Sequence, residues 1–218
     1  SGLPNYEHLA NYTPPVMSRV HAGDGSLIAE YAQERRLFVP IDVVPEHVIN
    51  AFLAAEDKNF YDHIGIDFIG IARAVFQNVL NVASGKRLEG ASTITQQVAK
   101  NFLLSSDVTL ERKLKEAVLA LRLERTFNKR QLLELYLNEI YLGLGSYGVA
   151  AAALNYFDKP LSELSLEEAA YLAALPKAPN NYHPFRKRAR ALARRNWVLG
   201  RMASNGFISN NEERLARA

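Results

Sequence analysis

"PEHVINAFLAAEDKNFYDHIGIDFIGIARAVFQNVLNV", Pro45 to Val82, holds two apolar helical patterns joined by a short charged segment. Val48, Ile49, Phe52 and Leu53 recur at helical spacing after Pro45, a residue suited to a helix start. The pattern runs into Glu56-Asp57, so two carboxylates fall at a helix C-terminus, where the macrodipole favours cations. That placement disfavours the ionised form and would raise a carboxyl pKa toward the range a general acid or base needs. Asp67 has a simpler role as N-cap of the next helix, "FIGIARAVFQNVLNV", which stops at Ser84-Gly85. Glu56, Asp57, Asp62 and His63 match no strong metal-ligand spacing. Read alone, the segment leaves a solvated helix end, a metal cluster and an acid–base group open.

Outward from this stretch the chain stays helical. Residues 1–15, with Pro4, Pro14 and Pro15, read as an extended lead-in, and residues 16–218 as one domain. A small β-hairpin is expected around Gly23–Gly25. A third helix is expected from near Ser92, and a fourth after Thr109 to about Phe127. Asn128 with Gln131, and Ser165 with Glu168, form capping boxes for two more. "GVAAAALNYF" is Ala-rich and helical, Pro176 ends "EEAAYLAAL", and a last long helix runs from near Pro184 to Gly206. The fold class is all-α with a minor N-terminal β-hairpin.

The chain has 218 residues and a formal net charge of +3, so it can bury a sizeable core, and bulk charge demands no nucleic-acid partner. With no cysteine, disulfides and thiol nucleophiles are excluded. No apolar run of transmembrane length and no signal peptide occur. Ser1-Gly2 reads as a vector-derived scar, with an upstream membrane anchor expected to have been removed.

Three further stretches bear chemistry. In "RLEGASTITQQVAKN", a helix from Ser92 would align Thr93, Gln97 and Lys100, with Ser92 and Gln96 alongside. Such a face suits a sugar or phosphate, or is simply a capped, solvated surface. In "TLERKLKEAVLALRLER", Leu110, Leu114, Ala117, Val118 and Leu121 form the expected core stripe. Arg112, Lys113 and Glu116 then project from the other side, either as a salt-bridged face or as a cationic cradle for a phosphate leaving group. "FRKRARALARRNW" places six Lys/Arg between Arg186 and Arg195, a solvated face by default or a contact for anionic lipid. "GLGSYG", Gly143 to Gly148, matches a dinucleotide fingerprint but follows a helical pattern instead of a strand, and so reads as a helix-to-helix turn.

"EDKNFYDHIGID", "EGASTITQQVAKN", "RKLKEAVLALRLER", "LLELYLNEIYLGLGSYGVAAAALNYF" and "LEEAAYLAALPKAPNNYHP" occur in this order. Together they resemble the five signature motifs of the peptidoglycan glycosyltransferases (glycosyltransferase family 51), the domains carried by class A penicillin-binding proteins. The resemblance covers roughly residues 16–205. It implies a lysozyme-like fold with a large head lobe and a smaller membrane-facing jaw. It also implies polymerisation of lipid II into β-1,4 glycan strands, with inversion and release of undecaprenyl pyrophosphate. The expected location is the outer, periplasmic face of the bacterial inner membrane, and the transpeptidase domain of a class A protein is absent from this chain.

Carried over by motif, Glu56 would be the general base on the acceptor 4-hydroxyl and Glu116 the second catalytic carboxylate. Lys100, Arg112 and Lys113 would hold the pyrophosphate. Ser92, Thr93, Gln96 and Gln97 would line the donor side with Gly90. Asp57, Phe60, His63 and Gly65 would shape the first motif around the base. Asn138 joins the substrate-binding set, with a mainly architectural role. No metal ligand set is certain; a divalent cation, Mg2+ or Mn2+, near Glu116 is the one cofactor considered, and no organic cofactor is expected. The implied partners are lipid II, the growing glycan strand, the membrane surface and phosphoglycolipid inhibitors of the moenomycin type. The wide apolar stripe of "FIGIARAVFQNVLNV" is a core helix by default, but a prenyl-tailed substrate favours partial insertion into the bilayer. The alternatives are a lysozyme-like glycosidase or lytic transglycosylase, and a membrane-surface scaffold using the basic C-terminal helix.

Overall fold

The structure, a computed structural model, describes Leu9 and residues 18–21, 27–31, 35–83, 90–103 and 109–218. The expected lead-in (Leu9 aside), the turn at Gly23–Gly25 and the helix stop at Ser84-Gly85 lie outside the described residues. Strands β1 (Ser18–His21) and β2 (Leu27–Tyr31) pair antiparallel, with a register shift between Val20 and His21, so the hairpin forms as expected. A two-residue strand β3 (Arg35–Arg36) follows, then helices α1 (Glu46–Glu56), α2 (Phe68–Ala83), α3 (Ile94–Leu103), α4 (Leu110–Thr126) and α5 (Lys129–Glu139). Strand β4 (Ser146–Tyr147) pairs parallel with β3, and α6 (Val149–Phe157), α7 (Leu166–Ala174), α8 (Arg188–Ser204) and α9 (Asn210–Arg217) complete the chain. Among the described residues, no helix is long and apolar enough to cross a membrane.

The chain divides into two compact units, residues 1–10 with 56–133 and residues 11–55 with 134–218. The second, larger unit has a conventional apolar core. Val48, Ala51, Phe52, Leu53 and Ala54 are the buried residues of α1, and Phe52 meets Tyr136 edge-on at 6.2 Å. Each such large side chain contributes about 1.5–3 kcal/mol by leaving water. Helix α7 is buried from Ala169 to Ala174, and its small residues admit close approach of α8, which buries Val198, Leu199 and Met202.

"GLGSYG" is a turn built on positive φ, with Gly143 at 86°, Gly145 at 71° and Gly148 at 81°, and Leu144 at 51°. It carries β4 as well, a strand too short to leave a periodic signal. Two expectations change at the C-terminus. His183 accepts from the backbone N–H groups of Phe185 and Arg186 at 3.2 and 3.3 Å. That turn delays α8 to Arg188. Helix α9 was not expected, although Ser209 and Glu212 form a capping box that the sequence displays.

The position of Gly148 generates a stability prediction. A Cβ there would lie 2.5 Å from the backbone oxygen of Asn138, at a φ that side-chain-bearing residues avoid. Gly148→Ala should cost about 2–4 kcal/mol, read as a lowered midpoint in denaturant unfolding.

Candidate active site

The first unit gathers nearly all the sequence-predicted site residues. Helix α1 ends on Glu56, as the pattern predicts, and Asp57 is the first residue beyond it. The Asp57 carboxylate is buried. Its Oδ2 accepts the backbone N–H of Ile94 at 2.9 Å and faces His63 Nε2 at 2.9 Å. Gly65 N–H donates to His63 Nδ1 at 3.0 Å, which leaves Nε2 to carry the proton shared with Asp57. The first-motif loop is thereby tied to the N-terminus of α3, where an anion is favoured. Gly65 itself has φ of 99°, and a Cβ would meet the Ala120 carbonyl oxygen at 2.8 Å, so only glycine lets this loop lie against α4.

Asp67 caps α2, accepting from Gly70 N–H at 2.7 Å and from the Asn59 amide at 2.9 Å. Burial pushes its pKa up, but these hydrogen bonds and the nearby His63 and Arg73 outweigh that and hold it below the usual carboxylate value.

Helix α3 starts at Ile94, two residues later than expected. Thr93 is its cap: Gln96 N–H donates to Thr93 Oγ1 at 3.1 Å, and Thr93 N–H donates to Gln96 Oε1 at 3.0 Å. The Thr93 hydroxyl also donates to the Gly65 carbonyl at 2.6 Å. Thr93 and Gln96 are therefore buried and occupied, not part of a polar face offered to a ligand. Asp57 and Phe60 are likewise buried, in keeping with the expectation that they shape the first motif around the base. Gln97, Ser92 and Lys100 stay accessible. Gln97 Nε2 donates to Glu56 Oε2 at 2.9 Å, so a side chain from the second motif orients the carboxylate at the end of the first. A Cβ at Gly90 would meet nothing within 4 Å, and no steric reason for glycine is found there.

Helix α4 reverses the expected orientation. Leu110 is 79% exposed and Leu114 63%, whereas Glu116 is 2% exposed and packs inward with Leu119, Ala120 and Leu123. The face chosen for burial is the one with polar partners on α3 and in the segment just before it. Lys113 Nζ donates to Ser92 Oγ at 2.9 Å and to Glu116 Oε1, while Arg112 lies 3.5 Å from Glu116 Oε2. Among the described residues, Arg112 Nε is buried and has no hydrogen-bond partner. A cation held by a buried carboxylate, with one donor still unmatched, suits an anion better than it suits another cation. Both Glu116 oxygens face cations, and the described residues include no cluster of three His, Asp or Glu. This donor set does not fit a divalent ion at Glu116.

Three residues of this network went unremarked in the sequence. Thr95 Oγ1 donates to Glu124 Oε1 at 2.6 Å, and Lys129 Nζ donates to the same oxygen at 2.7 Å and to the His63 carbonyl at 2.6 Å. The ammonium also lies 4.5 Å from the centre of the Phe60 ring. The signal available was weak: a lysine at the first position of a helix, the end the macrodipole disfavours for a cation. Asn138 lies in the second unit. Its side chain accepts from Val39 N–H at 2.8 Å and donates to the Val39 and Glu134 carbonyls at 2.9 and 2.8 Å, so it is architectural.

A family model of the transglycosylases matches residues 24–203. The chain belongs to the transglycosylase family. As a transglycosylase it is similar to penicillin-binding protein 1A of Rickettsia felis, 54% identical over 214 residues, 98% of this chain and 27% of that protein. The corresponding protein of Escherichia coli is 46% identical over 96% of this chain and 24% of its own length. The crystal structure of penicillin-binding protein 1A from Haemophilus influenzae matches with a TM-score of 0.53 and 31% identity, covering 92% of this chain and 20% of that one. The chain thus spans about a quarter of the length of these relatives. The matched region is a transglycosylase domain, mostly helical as expected and consistent with the lysozyme-like class.

Removing the lysine that ties α4 and the first-motif loop together tests this network. Lys129→Met should lower stability by about 2–4 kcal/mol, because Glu124 would stay partly buried without its cation. Thermal unfolding would measure the loss, and Glu124→Gln in the same chain should recover part of it.

Proposed function

We propose that this domain polymerises lipid II, with Glu56 as general base and Lys100, Arg112 and Lys113 as the cations that receive the departing pyrophosphate. The observation that carries the reading is the buried Glu116 carboxylate with Arg112 and Lys113 on its two oxygens and an Arg112 donor left unmatched. Glu56 would take the proton from the acceptor 4-hydroxyl as that oxygen bonds to the donor's anomeric carbon. The bond from that carbon to the pyrophosphate oxygen breaks, its electron pair leaves with the lipid pyrophosphate, and the configuration inverts. Negative charge grows on the leaving group, so fixed cations favour the transition state over the ground state. Glu116 would hold Arg112 and Lys113 in place, while Gln97 holds Glu56 in its rotamer. Ser92 would share the donor side through Lys113. Phosphoglycolipids of the moenomycin type would occupy the same cationic cluster.

A glycosidase or lytic transglycosylase, cleaving sugar–sugar bonds, has no pyrophosphate to neutralise and no need for this cluster. The decisive assay supplies labelled lipid II in detergent. Wild type should produce polymer, folded Glu56→Gln none, and Arg112→Met about 100- to 1,000-fold less. Cleavage of preformed glycan without polymerisation would instead establish the hydrolytic reading.

The site would work at the outer face of the cytoplasmic membrane. Helix α2 supports this, for Phe68, Ile69, Val75, Phe76, Val79 and Leu80 are all exposed, Phe76 by 67%. The exposed Leu110, Leu114 and Val118 of α4 add to the apolar surface of the first unit. In liposome flotation the wild-type chain should rise with the vesicles and Phe76→Asp should stay behind with unchanged unfolding. Equal flotation of the two would remove α2 as the contact.

A further inference from the structure

The second unit contains a cavity of about 380 Å³ between α6, α7 and α8, a size typical of ligand pockets. Its floor is aromatic: Tyr156, Phe157 and Tyr171 meet edge-on, with centroids 5.6 Å apart for Tyr156–Tyr171 and 6.0 Å for Phe157–Tyr171. Both phenols are committed, Tyr156 donating to the Leu142 carbonyl and Tyr171 to the Tyr182 carbonyl, each at 2.8 Å. Burial, with Tyr141 adding to it, pushes the Tyr156 hydroxyl up to about 12, so it stays a donor throughout the physiological range. The floor is therefore a rigid apolar wall.

The rim is cationic. Helix α8 presents Arg188, Ala191, Leu192 and Arg195 at i, i+3, i+4 and i+7, so two guanidiniums bracket the opening. Among the described residues, no ion pair is found at Arg188. Arg195, among the described residues, bonds only the Asn196 amide oxygen and the Arg217 carbonyl, both neutral. Of the two rim carboxylates, Glu168 is taken by Lys159 at 2.8 Å, which leaves Glu167 alone against two arginines. Phe185 stands at the edge, 88% exposed.

We propose that this pocket binds an extended acidic segment of a partner protein, inserting one aromatic side chain between carboxylates that meet Arg188 and Arg195. Residues two positions either side of the aromatic share its face of an extended chain and stand about 13 Å apart. The two arginines are rooted about 10.5 Å apart along α8, and their flexible stems cover the difference. Concavity favours an inserted side chain over a lipid surface, which would call for a convex or flat apolar face. The site is independent of the catalytic reading, since every residue lining it belongs to the second unit.

The test is fluorescence anisotropy with a labelled pentapeptide, Glu-Ser-Phe-Ser-Glu, and its counterparts Lys-Ser-Phe-Ser-Lys and Glu-Ser-Ser-Ser-Glu. Saturable binding of the first alone is expected. It should weaken at least tenfold in Arg188→Glu/Arg195→Glu and in the steric block Leu192→Trp, both checked for unchanged unfolding. No binding by the wild type, or equal binding by the variants, overturns the proposal. Flotation with phosphatidylglycerol vesicles that needs the same arginines, without peptide binding, also overturns it, in favour of a membrane contact. Lipid II polymerisation should be the same in the variants as in wild type, so failure of this site and failure of the catalytic reading are distinguishable.

Discussion

The buried carboxylate of Asp57 is the constraint around which the first unit is arranged. An ionised carboxylate out of water is tolerable only with partners on its oxygens. Here they are the His63 imidazole and the first N–H of α3, a helix end that itself favours an anion. Satisfying Asp57 therefore docks the start of α3 against the end of α1. Gln97, one turn on from Ile94, is thereby brought to Glu56. His63 in turn requires Gly65 N–H on its other nitrogen, and Gly65 requires the absence of a Cβ beside Ala120. A short loop, a helix start and a glycine are thus consequences of one desolvated charge.

The same unit places polar groups inside and apolar ones outside to an unusual degree. Glu116, Thr93, Thr95, Gln96 and Asp57 are buried, while α2 and α4 expose phenylalanine, isoleucine, valine and leucine. A buried ionic cluster contributes little to net stability compared with apolar packing. What it supplies is fixed charge in a region of low dielectric, the arrangement that the proposed reaction would use to stabilise its leaving anion. The second unit follows the ordinary rule instead. Alanine-rich helices pack closely, and its polar side chains, such as Asn138, are spent on backbone groups that no sheet or helix satisfies.

Much was legible in the residues. The N-caps at Asp67 and Thr109, the boxes at Asn128–Gln131 and Ser165–Glu168, and the end of α1 at Glu56 all form where the sequence places them. These are contacts within about four residues, and local chemistry is enough to specify them. The class of fold and the family were legible too, through five ordered motifs. The late start of α3 was not, because Thr93 and Ser92 are both good caps and only the hydrogen bond to the distant Gly65 carbonyl distinguishes them.

The amino-acid order by itself determined an all-α chain and several helix ends, and put forward a set of acidic, amide and cationic candidates. Tertiary structure decided which face of each helix turns inward and which polar residues remain reachable. Periodicity divides α4 into an apolar stripe at Leu110, Leu114 and Val118 and a polar one through Lys113 and Glu116, and burial of the first is the natural expectation. The outcome is the reverse, because Ser92, just before α3, and Thr95 on it meet the polar stripe through hydrogen bonds between residues 21 and 29 positions apart. A helical pattern records spacing along one chain segment. The partner that makes one face cheaper to bury is a property of another segment, and only the folded chain brings the two together.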